Sequence, residues 1–452
     1  MTRKTLNRVV ALLLVAIFII PMNTVAFAGT IYNYEDFETF HNNLAENFGW
    51  DFAVNYHQAV AAFEHLYDNF PRNRMGEIVY PQYFGGVYID DFGNLNILTV
   101  TSPFAVFSYA DAIAPFSSNQ LQVANFREVQ FSLNELWDTQ NMLNELIPSK
   151  WDFTPAAINA RSWFIDVINN RIVVELEDFN QHAVEQFRET VFDAPILDFA
   201  EFTSEFTFSL EQLQELPFEH EYLNHDYHHQ YDIEALNQFI AVVMPGDPID
   251  IIRNGSRIAG GSVGYFANQW GRRGFVTAAH IGFGLRAGDN IFHLRSGRII
   301  GSITSHSDVI GNPIDAAFVT LQPDVFFENI TPSTGVQSTF VGIGVGFELS
   351  SISRSSGYRS GRVTSISQTL TFWTRNEFGN IVWHTVQNGM NVNMMTQGGD
   401  SGGLVHRNVV DEWGWLRAHV VGIVVAGTYN TTFLSSGFFI NNHLGLQLGT
   451  NW

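Results

Sequence analysis

The chain has 452 residues, room for about three domains at roughly 150 residues each. Hydrophobic residues make up 46% and charged residues 15%, so ordinary cores can be buried and a disordered polymer is excluded. Lys+Arg 23 against Asp+Glu 45 gives a net charge of −22, which argues against nonspecific nucleic-acid binding. With no cysteine, disulfides, thiolate metal sites and a cysteine nucleophile are all excluded.

In chain order, the first segment reads as an address. Arg3, Lys4 and Arg8 form a basic start, Val9 to Pro21 is apolar, and Ala26-Phe27-Ala28 supplies a small-x-small cleavage pattern. The apolar run falls short of the roughly 20 residues that a membrane-spanning helix needs. Residues 1–28 are therefore expected to be a signal peptide. The remainder is expected to be secreted, extracellular, and free of the membrane once the signal is removed.

Charge places the next boundary. Residues 29–248 carry 34 acidic and 7 basic side chains, a net of −27, whereas 249–452 carry 11 and 13, a net of +2. The acidic half is rich in Phe, Glu and Asn with amphipathic stretches such as Glu185 to Phe192. Leu133, Leu136, Leu143 and Leu146 mark another at helical spacing. It also holds a weak repeat. Val87-Tyr88-Ile89-Asp90 leads through Gly93-Asn94 into Leu95 to Val100, and Trp163-Phe164-Ile165-Asp166 leads through Asn169-Asn170 into Arg171 to Leu176. Each reads as a hairpin, so two α+β subdomains split near 150, at Ile147-Pro148-Ser149-Lys150, are expected. Met244-Pro245-Gly246-Asp247-Pro248 reads as a linker by its turn residues. Beyond it, short runs of Gly, Ser, Thr, Val and Ile read as an all-β domain.

Three segments of that second half carry chemistry. Gly274-Phe275-Val276-Thr277-Ala278-Ala279-His280 is an apolar strand ending in a histidine. Asn312-Pro313-Ile314-Asp315 puts a carboxylate before the apolar Ala316-Ala317-Phe318-Val319, and Gly398-Gly399-Asp400-Ser401-Gly402-Gly403 surrounds a serine with glycine. A serine hydroxyl needs a base to accept its proton, for which His280 is the candidate. A catalytic histidine needs its tautomer fixed and its cation stabilised, which Asp315 can supply. The amides of Gly399 and Ser401 can face a developing oxyanion, a contribution of roughly 3–4 kcal/mol per donor. Asp308 competes with Asp315, but no apolar strand follows it directly. His293 and His306 are expected on the surface or in loops.

These motifs resemble the chymotrypsin-like serine proteases, and among them the secreted bacterial branch of α-lytic protease and the streptogrisins. The resemblance covers 249–452. It implies two six-stranded antiparallel β-barrels of the trypsin-like kind with the active site between them, and His280, Asp315 and Ser401 as catalytic triad. Gly422-Ile423-Val424-Val425-Ala426-Gly427 resembles the strand beside the primary specificity pocket, and Gly437-Phe438-Phe439 a strand on its far wall. The pocket is then expected from Met395, Thr396, Val424, Val425, Ala426 and Gly427, and it implies apolar P1 residues. Ser353-Arg354-Ser355 resembles a segment whose arginine pairs with the aspartate before the nucleophile, so Arg354 is the expected partner of Asp400. The branch usually has a cysteine after its catalytic histidine, where this chain has Ile281.

The Trp-Phe-Ile-Asp segment resembles the propeptide of the same branch, which assists folding of the protease and inhibits it until removed. The expectation is a monomeric secreted serine endopeptidase made as a zymogen, acting on protein or peptide substrates without a cofactor. A catalytically inert trypsin-fold binding or adhesion module is the alternative. The stretch Glu219-His220-Glu221 through His225, His228, His229 and Asp232 is rich in metal-ligand types but lacks helical ligand spacing. It reads as a solvated acidic linker, and no metal site is expected.

Overall fold

The computed structural model describes residues 37–73, 78–100, 124–150, 155–203, 241–282, 285–307, 313–329, 331, 336–339, 342–375, 381–410 and 416–448. The signal segment 1–28, the histidine-rich stretch 219–232, Asp308 and Asn312 lie outside the described residues. Among the described helices, none is long and apolar enough to cross a membrane.

The acidic half builds two units of like topology. In the first, helix α1 (Phe37–Phe48) precedes α2 (Trp50–Asn69). Helix α2 buries Phe52, Ala53, Tyr56, Ala59, Ala62, Phe63 and Leu66, the spacing of one helical face. Strands β1 (Phe84–Ile89) and β2 (Leu95–Val100) then form an antiparallel hairpin, and β3 (Ala124–Val129) joins β2 in parallel. In the second unit, α3 (Leu133–Lys150) and the short α4 (Pro155–Asn159) precede the hairpin of β4 (Ala160–Asp166) and β5 (Arg171–Leu176). Helix α5 (Gln181–Thr190), capped by the Asn180 side chain, then crosses to β6 (Leu197–Glu201), which lies parallel to β5. The repeat seen in the sequence is thus a shared plan of helix, hairpin and a third strand parallel to the second. Residues 147–150, expected to divide the units, are instead the last turn of α3.

The second half is mostly strand. Its first part contains β7 (Ala241–Val243), β8 (Pro248–Arg253), β9 (Ser256–Ser262), β10 (Phe266–Gln269) and β11 (Arg272–Thr277). It continues with β12 (Asn290–His293), β13 (Arg298–His306), β14 (Ala317–Leu321) and β15 (Val325–Phe327). Its second part contains β16 (Val336–Thr339), β17 (Glu348–Ser353), β18 (Gly357–Arg375), β19 (Ile381–Val392), β20 (Leu404–Val410), β21 (Leu416–Gly427) and β22 (Thr432–Ser436). Helix α6 (Gly437–Leu444) and β23 (Leu446–Leu448) follow. Strands β17, β20, β21, β22, β19 and β18 pair in that order, and β18 pairs back to β17, closing an antiparallel ring of six. The first sheet runs β9-β8-β12-β13-β14-β11-β10 with β23 added at the β10 edge. Among the described residues no ladder joins its two ends, so its pairing differs from a closed six-strand ring.

The acidic half is continuous with the second ring. Strand β4 pairs antiparallel with β18, placing Trp163 opposite Thr369 and Ile165 opposite Ile366, so β4, β5 and β6 extend that sheet outward.

Three expectations are corrected here. Residues 244–248 form a hydrogen-bonded turn between β7 and β8, not a free linker. The amide of Gly246 donates to Val263 O at 2.7 Å, and β7 pairs in parallel with β15. Asp247 is buried, accepts the Met244 amide at 2.8 Å and pairs with Arg295 at 3.1 Å. Second, His293 is fully buried, with Nε2 3.1 Å from Asp247 and Nδ1 2.9 Å from Ser296 Oγ; a buried carboxylate needs such partners. Third, Gly437-Phe438-Phe439 opens helix α6 rather than a strand. The strand paired with β21 is β22, and α6 ends at Gly445 in the left-handed conformation at φ 63°.

Candidate active site

Strand register brings the histidine and the aspartate together. Strands β11 and β14 are antiparallel neighbours with Thr277 opposite Ala317. His280 lies three residues past the end of one strand and Asp315 two residues before the start of the other. Both are buried. One Asp315 oxygen accepts the amides of Ala279 at 2.8 Å and His280 at 2.9 Å. The other contacts His280 Nδ1. Asp315 therefore fixes the backbone of the histidine as well as its ring, and Nδ1 bound to a carboxylate presents Nε2 as the nitrogen that can act as base. The Phe372 ring meets the imidazole edge-to-face at 6.1 Å.

Ser401 arrives from the second ring, on the loop between β19 and β20. Its Oγ lies 2.9 Å from His280 Nε2, within the range expected of nucleophile and base. Several bonds shape the loop. Ser401 O accepts the Ser262 amide at 2.9 Å, Ser262 Oγ donates to Gly399 O at 2.8 Å, and the Gly402 amide donates to Val424 O at 2.8 Å. Gly402 is required twice over, by φ 87° and because a Cβ there would lie 2.2 Å from Thr277 Oγ1. Among the described residues, no hydrogen bond uses the amides of Gly399 or Ser401, which leaves both donors available to an incoming oxygen.

The expected ion pair between Arg354 and Asp400 is not formed. Asp400 is fully buried, and its carboxylate accepts the amides of Ser355 at 2.8 Å, Ser356 at 2.9 Å and Gln397 at 2.8 Å, together with the Ser356 hydroxyl. Arg354 turns to the buried Asp250, 3.0 Å away. The segment Ser353-Arg354-Ser355 does meet the loop of Ser401, but through the Ser355 amide to Asp400 and the Ser355 hydroxyl to Gly398 O, with Ser356 just beyond it supplying the second amide and a hydroxyl. Four donors satisfy a carboxylate without a neighbouring cation, whereas Asp250 attracts both Arg354 and Arg257. The serines at 355 and 356 carried no signal beyond their place after Arg354.

The expected pocket residues divide between two faces. Val424 packs into the large core with Val392, Met394 and Leu434. Val425 and Ala426 join a smaller cluster with Leu370, Phe372, Val386 and Phe433, against which Phe202 packs from the end of β6. Thr396 is buried, its hydroxyl 3.0 Å from that of Thr432, which donates to Met394 O at 2.7 Å. The Thr396 amide donates to Thr428 O at 3.1 Å. These bonds tie residues 394–396 to 428–432 without a disulfide. Gly427 is demanded by close approach, since a Cβ there would fall 1.6 Å from Thr396 Oγ1. Met395 is half-buried at the rim. None of the six expected pocket residues carries a charge.

Comparison with known proteins gives a matching family and similar solved structures. A family described as the Pro-like C-terminal domain matches residues 134–201, which run from α3 to β6. Protease A of Thermobifida fusca is 21% identical, with 47% of this chain and all of that chain covered, at a TM-score of 0.35. The chymotrypsin of Cellulomonas bogoriensis is 21% identical over 46% of this chain and all of its own, at 0.34. The Nocardiopsis protease is 20% identical over the same shares, at 0.35. No curated protein matches the chain.

Proposed function

We propose that the chain is a serine endopeptidase made as a zymogen, with residues 29 to about 240 as its inhibitory and folding propeptide. The observation that carries this reading is the continuous run of contacts from Asp315 through His280 to Ser401 Oγ, set beside two free amides. His280 Nε2 takes the Ser401 proton as Oγ attacks the substrate carbonyl carbon. The amides of Gly399 and Ser401 receive the oxyanion, and the imidazolium formed is held by Asp315. His280 then protonates the leaving amine, and an acyl-Ser401 ester remains. Water, deprotonated by the same nitrogen, releases the acid and restores the serine.

Phe202 packed beside Val425 and Ala426, and the β4–β18 ladder, support an inhibitory acidic half. Because β7 pairs with β15 and buries Ala241 and Val243 in the core of the second half, the mature chain is expected to begin upstream of Ala241. The uncharged surroundings of Thr396 and Gly427 support apolar P1 residues. Secretion and a monomeric state belong to the same proposal.

The test is labelling by a fluorophosphonate together with peptide hydrolysis. Ser401→Ala and His280→Ala should each lose activity by about 10⁴-fold or more, and the double variant should be little worse than either single one. Activity of Ser401→Ala within about tenfold of wild type would overturn the reading. N-terminal sequencing of the processed protein and cleavage of a peptide library test the other parts. A start downstream of Ala241, or a dominant Glu, Arg or Lys at P1, would contradict them.

A further inference from the structure

The hairpin joining β10 to β11 has a two-residue turn, with Gln269 paired to Arg272 and Trp270-Gly271 between them. Both turn residues have positive φ, 49° for Trp270 and 80° for Gly271, the signature of a type I′ turn. The first position of such a turn favours Asn, Asp or Gly, and a bulky side chain there is strained. The chain itself supplies the control. The β8–β9 hairpin closes with Asn254-Gly255 at 51° and 78°, the same turn with the favoured residue. Of the five non-glycine residues at positive φ among the described ones, three are asparagine; Trp270 is the bulkiest exception.

Burial does not offset this strain, for Trp270 is 80% exposed. Gly271 and Arg272 are exposed beside it, and Arg273 is half-exposed. Among the described residues neither arginine has an ion pair. In contrast, Arg253, Arg257, Arg295, Arg298 and Arg354 of the same half all pair with aspartates. The turn therefore exposes one large amphipathic ring, with Nε1 near Gly445, and two guanidinium groups without an acidic partner among the described residues. It lies at the end of β11 remote from His280.

We infer that this turn is a docking tip for an anionic lipid surface. An indole 80% exposed at a hairpin turn suits the headgroup layer of a bilayer, where tryptophan concentrates. The guanidinium groups of Arg272 and Arg273, which follow it at the start of β11, pair with lipid phosphates. The inference revises the expectation that the processed chain has no membrane contact. It is independent of the proposed chemistry at Ser401. Contact through one ring and two charges is expected to be reversible and salt-sensitive.

The test uses the full chain carrying Ser401→Ala, to prevent self-cleavage, with vesicles of phosphatidylcholine alone or mixed with phosphatidylglycerol. Parent and variants share residues 9–21, so any lipid affinity of that apolar segment is common to both. The parent should sediment with the anionic vesicles, and part of its tryptophan fluorescence should be quenched by brominated lipid. Trp270→Asn should abolish that quenched component while raising the melting temperature. The pair Arg272→Gln and Arg273→Gln should weaken anionic binding by about tenfold or more. Quenching equal in parent and Trp270→Asn would overturn the inference, as would a lower melting temperature for Trp270→Asn. Trp270-dependent quenching that is equal on neutral vesicles, or binding of a soluble polyanion through Trp270 without vesicle binding, would also overturn it.

Discussion

The two units of the acidic half share a plan but meet the second ring by different physics. The second unit joins it through neutral groups. Beyond the β4–β18 ladder, Gln140 Nε2 donates to the carbonyls of Trp163 at 3.0 Å and Ser367 at 2.8 Å. Asn144 Oδ1 accepts Trp163 Nε1 at 2.7 Å and the Thr369 hydroxyl at 2.6 Å. The first unit relies on charge and rings. The buried Arg407 stacks over Phe347 at 4.7 Å and reaches Glu64 at 2.9 Å. Arg362 donates to the carbonyls of Ile89 and Asp90 and lies over the Phe52 ring at 4.9 Å. Phe63 meets Phe347 edge-to-face at 4.4 Å, and Tyr56 Oη accepts the Glu348 amide. A repeat can thus be duplicated as topology while its seams diverge, one insensitive to pH and salt and the other exposed to both. Local contacts fix a seam, whereas net charge does not.

Hydrogen exchange on the Ser401→Ala chain reads the units separately and can break the comparison. The largest effect is expected from Trp163→Ala. A fully buried indole is removed from the second seam, and about 3–5 kcal/mol of protection should be lost. The loss should fall on β4–β6, with β1–β3 affected less; equal loss in both units would mean that the seams act as one. Next is Gly346→Ala. Gly346 has φ 87°, and a Cβ would lie 2.0 Å from Ile89 O, so backbone would have to move. About 2–4 kcal/mol should be lost from β1–β3, and unchanged exchange there would place the first unit elsewhere.

Acid should then separate the units by sign. Burial holds His57 and His406 down at about 4. Burial, with Arg407 nearby, also lowers His419. Each group binds its proton in the unfolded chain near pH 6.5 but not in the folded one. Their stabilisation is therefore present above that value and lost as pH falls through their folded values, about 4 for His57 and His406. His57 lies in α2, and the other two flank Arg407. Burial raises Glu175 in β5 instead, a contribution present at low pH and lost as pH rises through its folded value. Exchange in the first unit should quicken before the second between pH 6.5 and 4, and the reverse order would refute the assignment. The smallest effect is expected from Asp91→Asn. Asp91 is 94% exposed and pairs with Arg362 at 3.0 Å, so exchange should not change measurably. A clear loss would show that this charge contributes beyond its exposure.

Much of the site was legible in the sequence because its chemistry needs residue types that few other arrangements combine. His280, Asp315 and Ser401 stand at strand ends and in a glycine loop, and local pattern marked each one. The partner of Asp400 was not legible. A buried carboxylate is satisfied equally by an arginine or by amides, and nothing in Ser353-Arg354-Ser355-Ser356 says which group points inward. Likewise Gly437-Phe438-Phe439 fits a strand or a helix by composition alone. Only Ser436 before it and Gly445 in the left-handed conformation set its limits.

By itself the sequence determined the division of charge at the middle of the chain, the hairpins of the acidic half and the three segments bearing His280, Asp315 and Ser401. These depend on periodicity, turn residues and side-chain chemistry, all local along the chain. Tertiary structure alone decided that residues 244–248 are a bonded turn between β7 and β8, that Arg354 belongs to Asp250, and that β4 continues the sheet of β18. It also decided that two like units dock by unlike seams. Those outcomes depend on which groups meet across long separations and on how burial is satisfied when they do, and a linear pattern does not encode that competition.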